Sequence, residues 1–247
     1  MSNTLEPSPA SGQAAPSEPP ETEPLLGRIG AASQREGAPF WKNLIMGTGF
    51  LAQIGLLTLT ATTWVSIFSL PVGLFTLHPL FNSIGVLLLF EAVLLLQPTH
   101  TANQKFKGAI IHSTLTGVSL LLFVGAGVAI LLNKIRIKHE HFGSAHAILG
   151  LVVYVLILIQ AIIGFAQFYT PRAFGSVENA KAIYKYHRLA GYMIELLLVV
   201  TLIAASRTTF ALGPLSFKTW TVVIGSSSVA IGVIPRIKKE KLGFKCR

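Results

Sequence analysis

The sequence predicts an all-α protein, a bundle of six transmembrane helices. Three observations lead there. Only 12% of the 247 residues are charged while 51% are hydrophobic, about half the charge that a soluble domain carries. The apolar residues gather into six stretches, near 43–68, 75–97, 107–132, 144–168, 184–206 and 218–235, each close to the roughly 20 residues that cross about 30 Å of hydrocarbon as a helix. No stretch alternates apolar and polar residues as a barrel strand would, and lipid excludes unpaired backbone, so these segments must be helices.

In chain order, residues 1–41 read as a disordered cytosolic tail rich in Pro, Ser, Ala and Glu, with little to bury. Within it, Glu21-Thr-Glu-Pro-Leu25-Leu26 reads either as an acidic dileucine sorting signal or as a chance string. No apolar run precedes residue 40, so no cleavable signal peptide is expected and the first span serves as its own insertion signal. Residues 42–236 form the membrane domain. Its short loops favour sequential antiparallel packing. The sixth span is the weakest, because Gly225-Ser-Ser-Ser228 interrupts it. Residues 237–247 form a basic cytosolic tail. One side of the membrane would hold the N-terminal tail, the second and fourth loops and the C-terminal tail, with 15 of the 20 Lys and Arg residues. The other five lie opposite, so both termini are expected to face the cytosol. An endomembrane, vacuolar or vesicular membrane is among the expected locations. The net charge of +10 sits in loops and tails beside apolar spans, a pattern that suits a membrane surface and not nucleic acid.

The single cysteine, Cys246, excludes an intrachain disulfide and any cysteine cage for a metal, and the absence of CxxCH excludes c-type haem attachment. Cys246 beside Lys245 and Arg247 reads as palmitoylated or unmodified with equal ease. Of the seven histidines, His78, His112, His146 and His187 fall in the first turns of the second to fifth spans. Because the helices alternate in direction, His78 and His146 share the outer face, and His112 and His187 the cytosolic face. An imidazole inside a span is costly unless it has a partner. Two facing imidazoles at each level suit the two axial positions of a haem iron, whereas zinc would need three or four ligands at one point. Gly150 and Gly191 follow His146 and His187 at i+4 and leave room on the ligand face. The reading is two haems b per chain, a haem layer at each membrane face, about 20 Å apart along the normal.

Phe75-Thr-Leu-His78-Pro79-Leu80-Phe81, Glu91-Ala92, Ala109-Ile-Ile-His112, Ser144-Ala-His146-Ala-Ile-Leu149-Gly150 and Lys185-Tyr-His187-Arg188-Leu-Ala-Gly191-Tyr192 together resemble the cytochrome b561 family over residues 43–235. The resemblance implies four histidine ligands paired between helices 2 and 4 and between 3 and 5. It also implies an ascorbate-like cytosolic donor, monodehydroascorbate or a ferric chelate as outer acceptor, and often a homodimer. The second span ends in Glu91-Ala-Val-Leu-Leu-Leu-Gln97, where the ascorbate-associated version ends in Tyr-Arg, so that basic donor contact is missing.

An anionic reductant needs cations near the inner pair. Lys107, Lys185 and Arg188 are the candidates, among basic residues that orientation alone would also place there. Outside, Lys138, His139 and His141 belong to a basic run preceding His146, suited to an acceptor or equally to haem propionates or lipid phosphates. Glu91 and Glu195 lie within spans and either stay neutral or bond a neighbouring helix. Three functions compete. A transmembrane oxidoreductase of the ascorbate-dependent or ferrireductase kind leads. A metal transporter or permease with a histidine-lined path would want carboxylates beside its histidines, and only Glu91 and Glu195 are available. A haem-binding subunit that anchors a soluble redox partner is the third.

Overall fold

The computed structural model describes residues 32–243. The suggested dileucine signal and Cys246 lie outside them. Among the described residues the chain is helical with no strand: α1 (Lys42–Ile45), α2 (Gly49–Phe68), α3 (Leu74–Leu96), α4 (Ala102–Arg136), α5 (Ala145–Tyr169), α6 (Val177–Ala205), α7 (Thr209–Leu212) and α8 (Thr219–Val233). Helices α2 to α6 are each long and apolar enough to cross a membrane. With 15 residues, α8 is shorter and packs against α2 and α6 to complete a six-helix bundle.

Local chemistry sets the ends. Gly47, at φ 57°, breaks the first predicted span into α1 and α2, a conformation glycine adopts at little cost. Thr101 and Gln104 close a reciprocal capping box on α4, and Ser144 and Ser176 cap α5 and α6 through Ala147 N–H and Asn179 N–H. Helices α4 and α6 begin 5 and 7 residues before the sequence suggests. The added turns carry Lys105 and Lys181, which hydropathy leaves in loops although strong caps start the helices there.

The Gly-Ser interruption of the last span is a packing stripe. A Cβ on Gly55 of α2 would stand 2.5 Å from the Gly225 carbonyl oxygen and 2.7 Å from the Val229 nitrogen, so the two backbones nearly touch. Ser228 donates to the Leu51 carbonyl at 2.7 Å and Thr48 to the Gly232 carbonyl at 2.9 Å. Small residues and interhelical hydrogen bonds are what hold helices together where lipid removes the hydrophobic drive. Between the helices, Leu56, Val86, Phe90, Leu94, Phe123, Val153, Ile157, Leu198 and Val229 form one buried core.

The end of the segment expected to be a free tail is docked. Gln34 is buried, its N–H donates to the Pro98 carbonyl at 3.1 Å, and its carbonyl accepts from Gln104 at 3.1 Å. Ser33 accepts from Lys238 at 3.2 Å. Both ends of the described chain therefore meet at one end of the bundle, called here the terminal face; the opposite end is the far face.

Candidate functional site

Two histidine pairs lie at different levels of the bundle. At the far face, His78 of α3 and His146 of α5 stand with ring centroids 6.2 Å apart and planes at 75°. Each ring is tied through Nδ1 to a backbone carbonyl of a neighbouring helix: His78 to Ala126 at 3.0 Å, His146 to Thr201 at 3.2 Å. A carbonyl can only accept, so Nδ1 carries the proton and Nε2 keeps its lone pair. Ligating histidines are fixed this way in metal sites. Two imidazoles from different helices at that separation leave room for one metal ion between them, and would be the residues to hold it. A Cβ on Gly150, one turn after His146, would meet nothing within 4 Å, which leaves space for a macrocycle beside that ligand.

At the terminal face, His112 of α4 and His187 of α6 both line a cavity of about 1130 Å³, at the large end of small-molecule sites. His112 Nδ1 donates to the Ala92 carbonyl at 3.2 Å. His187 Nδ1 is buried without a partner. Its ring presses against Gly164 of α5, where a Cβ would stand 2.8 Å from Cε1. The His187 carbonyl accepts from Gln160. Leu89, Val93, Leu120 and Ile157 supply apolar walls. A flat apolar group with two anionic arms fits this donor set, with imidazoles deep in the cavity and cations at its mouth.

That mouth is basic. Lys105, Lys181, Arg188, Lys238 and Lys241 line it. Of the three cations expected from the sequence, Arg188 belongs to the lining. Lys107 and Lys185 are exposed on the same helices outside it. Sequence reasoning passed over Lys238 and Lys241, which follow α8 and return to the cavity only through the fold. Burial and the neighbouring Lys238, Arg188 and Lys105 lower the Lys241 ammonium to about 7.

On the far face, Lys138, His139 and His141 are exposed on the α4–α5 loop. His139 Nδ1 and Lys134 Nζ both donate to the Glu140 carbonyl, at 3.1 and 2.7 Å. Among the described residues no three His, Cys, Asp or Glu side chains gather as a metal cage would require. Within the spans, Gln53 donates to Glu91 at 3.0 Å, and Glu195 lines the terminal cavity with neither carboxyl oxygen hydrogen-bonded. Asn82 and Tyr154 had no sequence signal. Tyr154 donates to Asn82 Oδ1 at 2.8 Å, and Asn82 Nδ2 donates to the His78 carbonyl at 2.8 Å, a polar brace beneath the far pair.

The family model for eukaryotic cytochrome b561 matches residues 77–211, more than half the chain. The match takes in α4 to α6 and all of α3 but its first residues, and so includes all four paired histidines; α1, α2 and α8 lie outside it. No curated protein matches the chain.

Proposed function

The chain belongs to the eukaryotic cytochrome b561 family, a haem-binding family of membrane oxidoreductases, and from that premise we propose that it moves electrons across the bilayer by way of two haems b. The electrons come from an ascorbate-like cytosolic donor at the terminal face and leave to monodehydroascorbate or a ferric chelate at the far face. The observation that carries this reading is the stacking of two imidazole pairs, His78 with His146 and His112 with His187, at opposite ends of one helix core. Bound haem iron supplies reversible one-electron carriage at each level.

The chain's own residues do the rest. The carbonyls of Ala92, Ala126 and Thr201 hold three imidazoles through Nδ1, which leaves Nε2 as the nitrogen free to ligate. Phe90, Phe123, Val153 and Leu198 fill the space between the levels and exclude water there. Arg188 and its neighbours present cations to an anionic donor, while Lys107 and Lys185 add to the positive field that steers it in. Lys138, His139 and His141 offer contacts for the acceptor outside. Residues 42–236 act as one membrane domain, and a homodimer is the expected assembly.

A reduced-minus-oxidised spectrum of the purified protein, with ascorbate as sole reductant, tests the reading. The expected result is a b-type spectrum and two haems per chain. A protein with no visible chromophore, or with haem that ascorbate leaves oxidised, overturns the cofactor or the donor respectively.

A further inference from the structure

The terminal cavity holds more positive charge than a haem can use. Six cationic side chains line it, Lys105, Lys181, Arg188, Arg236, Lys238 and Lys241, and Glu195 is the one carboxylate in the lining. The two propionates of one haem would neutralise two of the six. Clustered, partly buried cations repel one another and are costly to desolvate unless something anionic sits among them.

Three of the six come from the short segment after α8, and that segment crosses the cavity mouth. Lys241 Nζ donates to the Gln97 and Thr99 carbonyls at 3.1 and 2.8 Å, so it caps the exposed carbonyls at the end of α3. Arg188 of α6 donates to the Lys241 carbonyl at 2.8 Å, and Lys238 holds Ser33 at 3.2 Å. Leu242 lines the cavity. Residues 237–243 thus form a strap from α8 across the α3–α4 loop to α6, with Lys238 and Lys241 among the residues that line the cavity. The sequence pattern read this stretch as a tail.

We propose that this C-terminal strap is part of the reductant site, where Lys238 and Lys241 join Arg188 and Lys105 to bind the donor as a small enediol-type organic anion. The proposal rests on the reading of the terminal cavity as the donor's port. The charged groups around Lys241 are Lys105 on α4, Arg188 on α6 and Lys238 on the strap itself, with Glu240 acting on Lys238. Three cations therefore crowd the Lys241 ammonium, and a bound anion relieves that crowding. The strap also explains how the site recovers a basic contact although α3 ends in Leu96 and Gln97 without the Tyr-Arg pair.

The experiment uses the full-length holoprotein in nanodiscs, as wild type and as Lys238→Gln, Lys241→Gln and Lys241→Arg. Two probes are applied: ascorbate 2-phosphate, a redox-inert anion whose binding is measured calorimetrically, and stopped-flow haem reduction by ascorbate against uncharged duroquinol. Each glutamine variant is expected to weaken anion binding about tenfold, as loss of a charge-assisted contact does. It should raise the ascorbate KM by a similar factor with little change in the limiting rate. Reduction by duroquinol should not change, and Lys241→Arg should restore most of the loss. Unaltered anion binding and KM in both glutamine variants overturn the strap's role. Loss of haem absorbance in both also overturns it, because the lysines would then hold the cofactor. If wild type binds ascorbate 2-phosphate but ascorbate fails to reduce it, the functional reading fails, and the anion-binding comparison still decides the strap.

Discussion

Replacing Gly164 by alanine should remove the haem at the terminal face and spare the one at the far face. The added methyl would stand 2.8 Å from His187 Cε1, 3.4 Å from Nε2 and 3.6 Å from Nδ1. Non-bonded carbons settle at about 3.5–4.0 Å, so the ring must retreat by at least about 0.7 Å. A metal site tolerates errors of about 0.2 Å in its bond lengths, so the required shift is more than three times what coordination allows. Backbone movement offers little relief, because Gln160 holds the His187 carbonyl from the same helix that carries Gly164. Overpacking of this kind costs about 1–3 kcal/mol, which perturbs the site without unfolding the bundle. His146 lies 18 residues earlier on α5, about 27 Å along the axis, beyond the reach of the added methyl. The assay is haem quantitation by pyridine haemochrome, paired with low-temperature electron paramagnetic resonance. Wild type should give about two haems per chain with two low-spin signals, and Gly164→Ala about one of each. A variant with both haems and unchanged signals would refute the geometry, because His187 could not then be ligating from this ring position.

His78→Ala and His146→Ala should each remove the same low-spin signal, with the other retained, and a double variant should lose no more than either single one. Arg236→Met should lower thermal stability in detergent by roughly 2–4 kcal/mol, since its Nη2 supplies the Asn43 and Leu94 carbonyls at 2.8 and 3.0 Å; an unshifted melting midpoint counts against that buried anchor. Gly55→Leu should detach α8 from α2, read as new protease cleavage near residues 213–219, whereas an unchanged digestion pattern means that the helices do not approach as described. Lys241 is charged below about pH 7 and neutral above it, so donor affinity should fall as pH rises from about 6 to 8. The ascorbate KM in Lys241→Gln should stay flat over that range, and an equally steep profile there assigns the dependence elsewhere.

Much of the architecture was legible because lipid allows few solutions. Long apolar runs had to be helices, short loops made them antiparallel, and one histidine near the start of each central helix then fell alternately at the two ends. What stayed hidden depends on tertiary register. Hydropathy starts α4 and α6 late because their first turns are polar, although Thr101 and Ser176 cap them well before the apolar residues begin. It undervalues α8, whose glycines and serines lower its apolar content while fitting it against Gly55. Residues 32–41 carry no apolar pattern; they dock through Gln34 and Asn43, which hydrogen-bond each other and backbone carbonyls. The i+4 rule selected Gly150 and Gly191 as room for a macrocycle, but Gly164, which presses on His187, lies on a different helix. A count of Lys and Arg can assign cations to a side of the membrane. It cannot tell that Lys241 enters the cavity while Lys107 points away from it.

One interval organises both levels. Ala92 follows His78 by fourteen residues, Ala126 follows His112 by fourteen, and Thr201 follows His187 by fourteen. In each case the later residue lends its carbonyl to the histidine of the adjoining antiparallel helix. On α5, Gln160 follows His146 by fourteen and donates to the His187 carbonyl. Fourteen residues are close to four turns, so both ends of the interval face the same way, and they rise about 21 Å, which fits within about 30 Å of hydrocarbon with each level roughly a turn inside its boundary. The hydrogen bonds run within two hairpins, α3 with α4 and α5 with α6, whereas the paired histidines belong to different hairpins. Each hairpin can therefore orient its own imidazoles before the two meet, and a ligand pair exists only once they have docked. Under the proposed function, haem binding would therefore require the two hairpins to be docked. A one-residue slip in any of the four helices would turn its ligand by about 100° and break the carbonyl contact at the opposite level as well, so neither level can drift in register without the other.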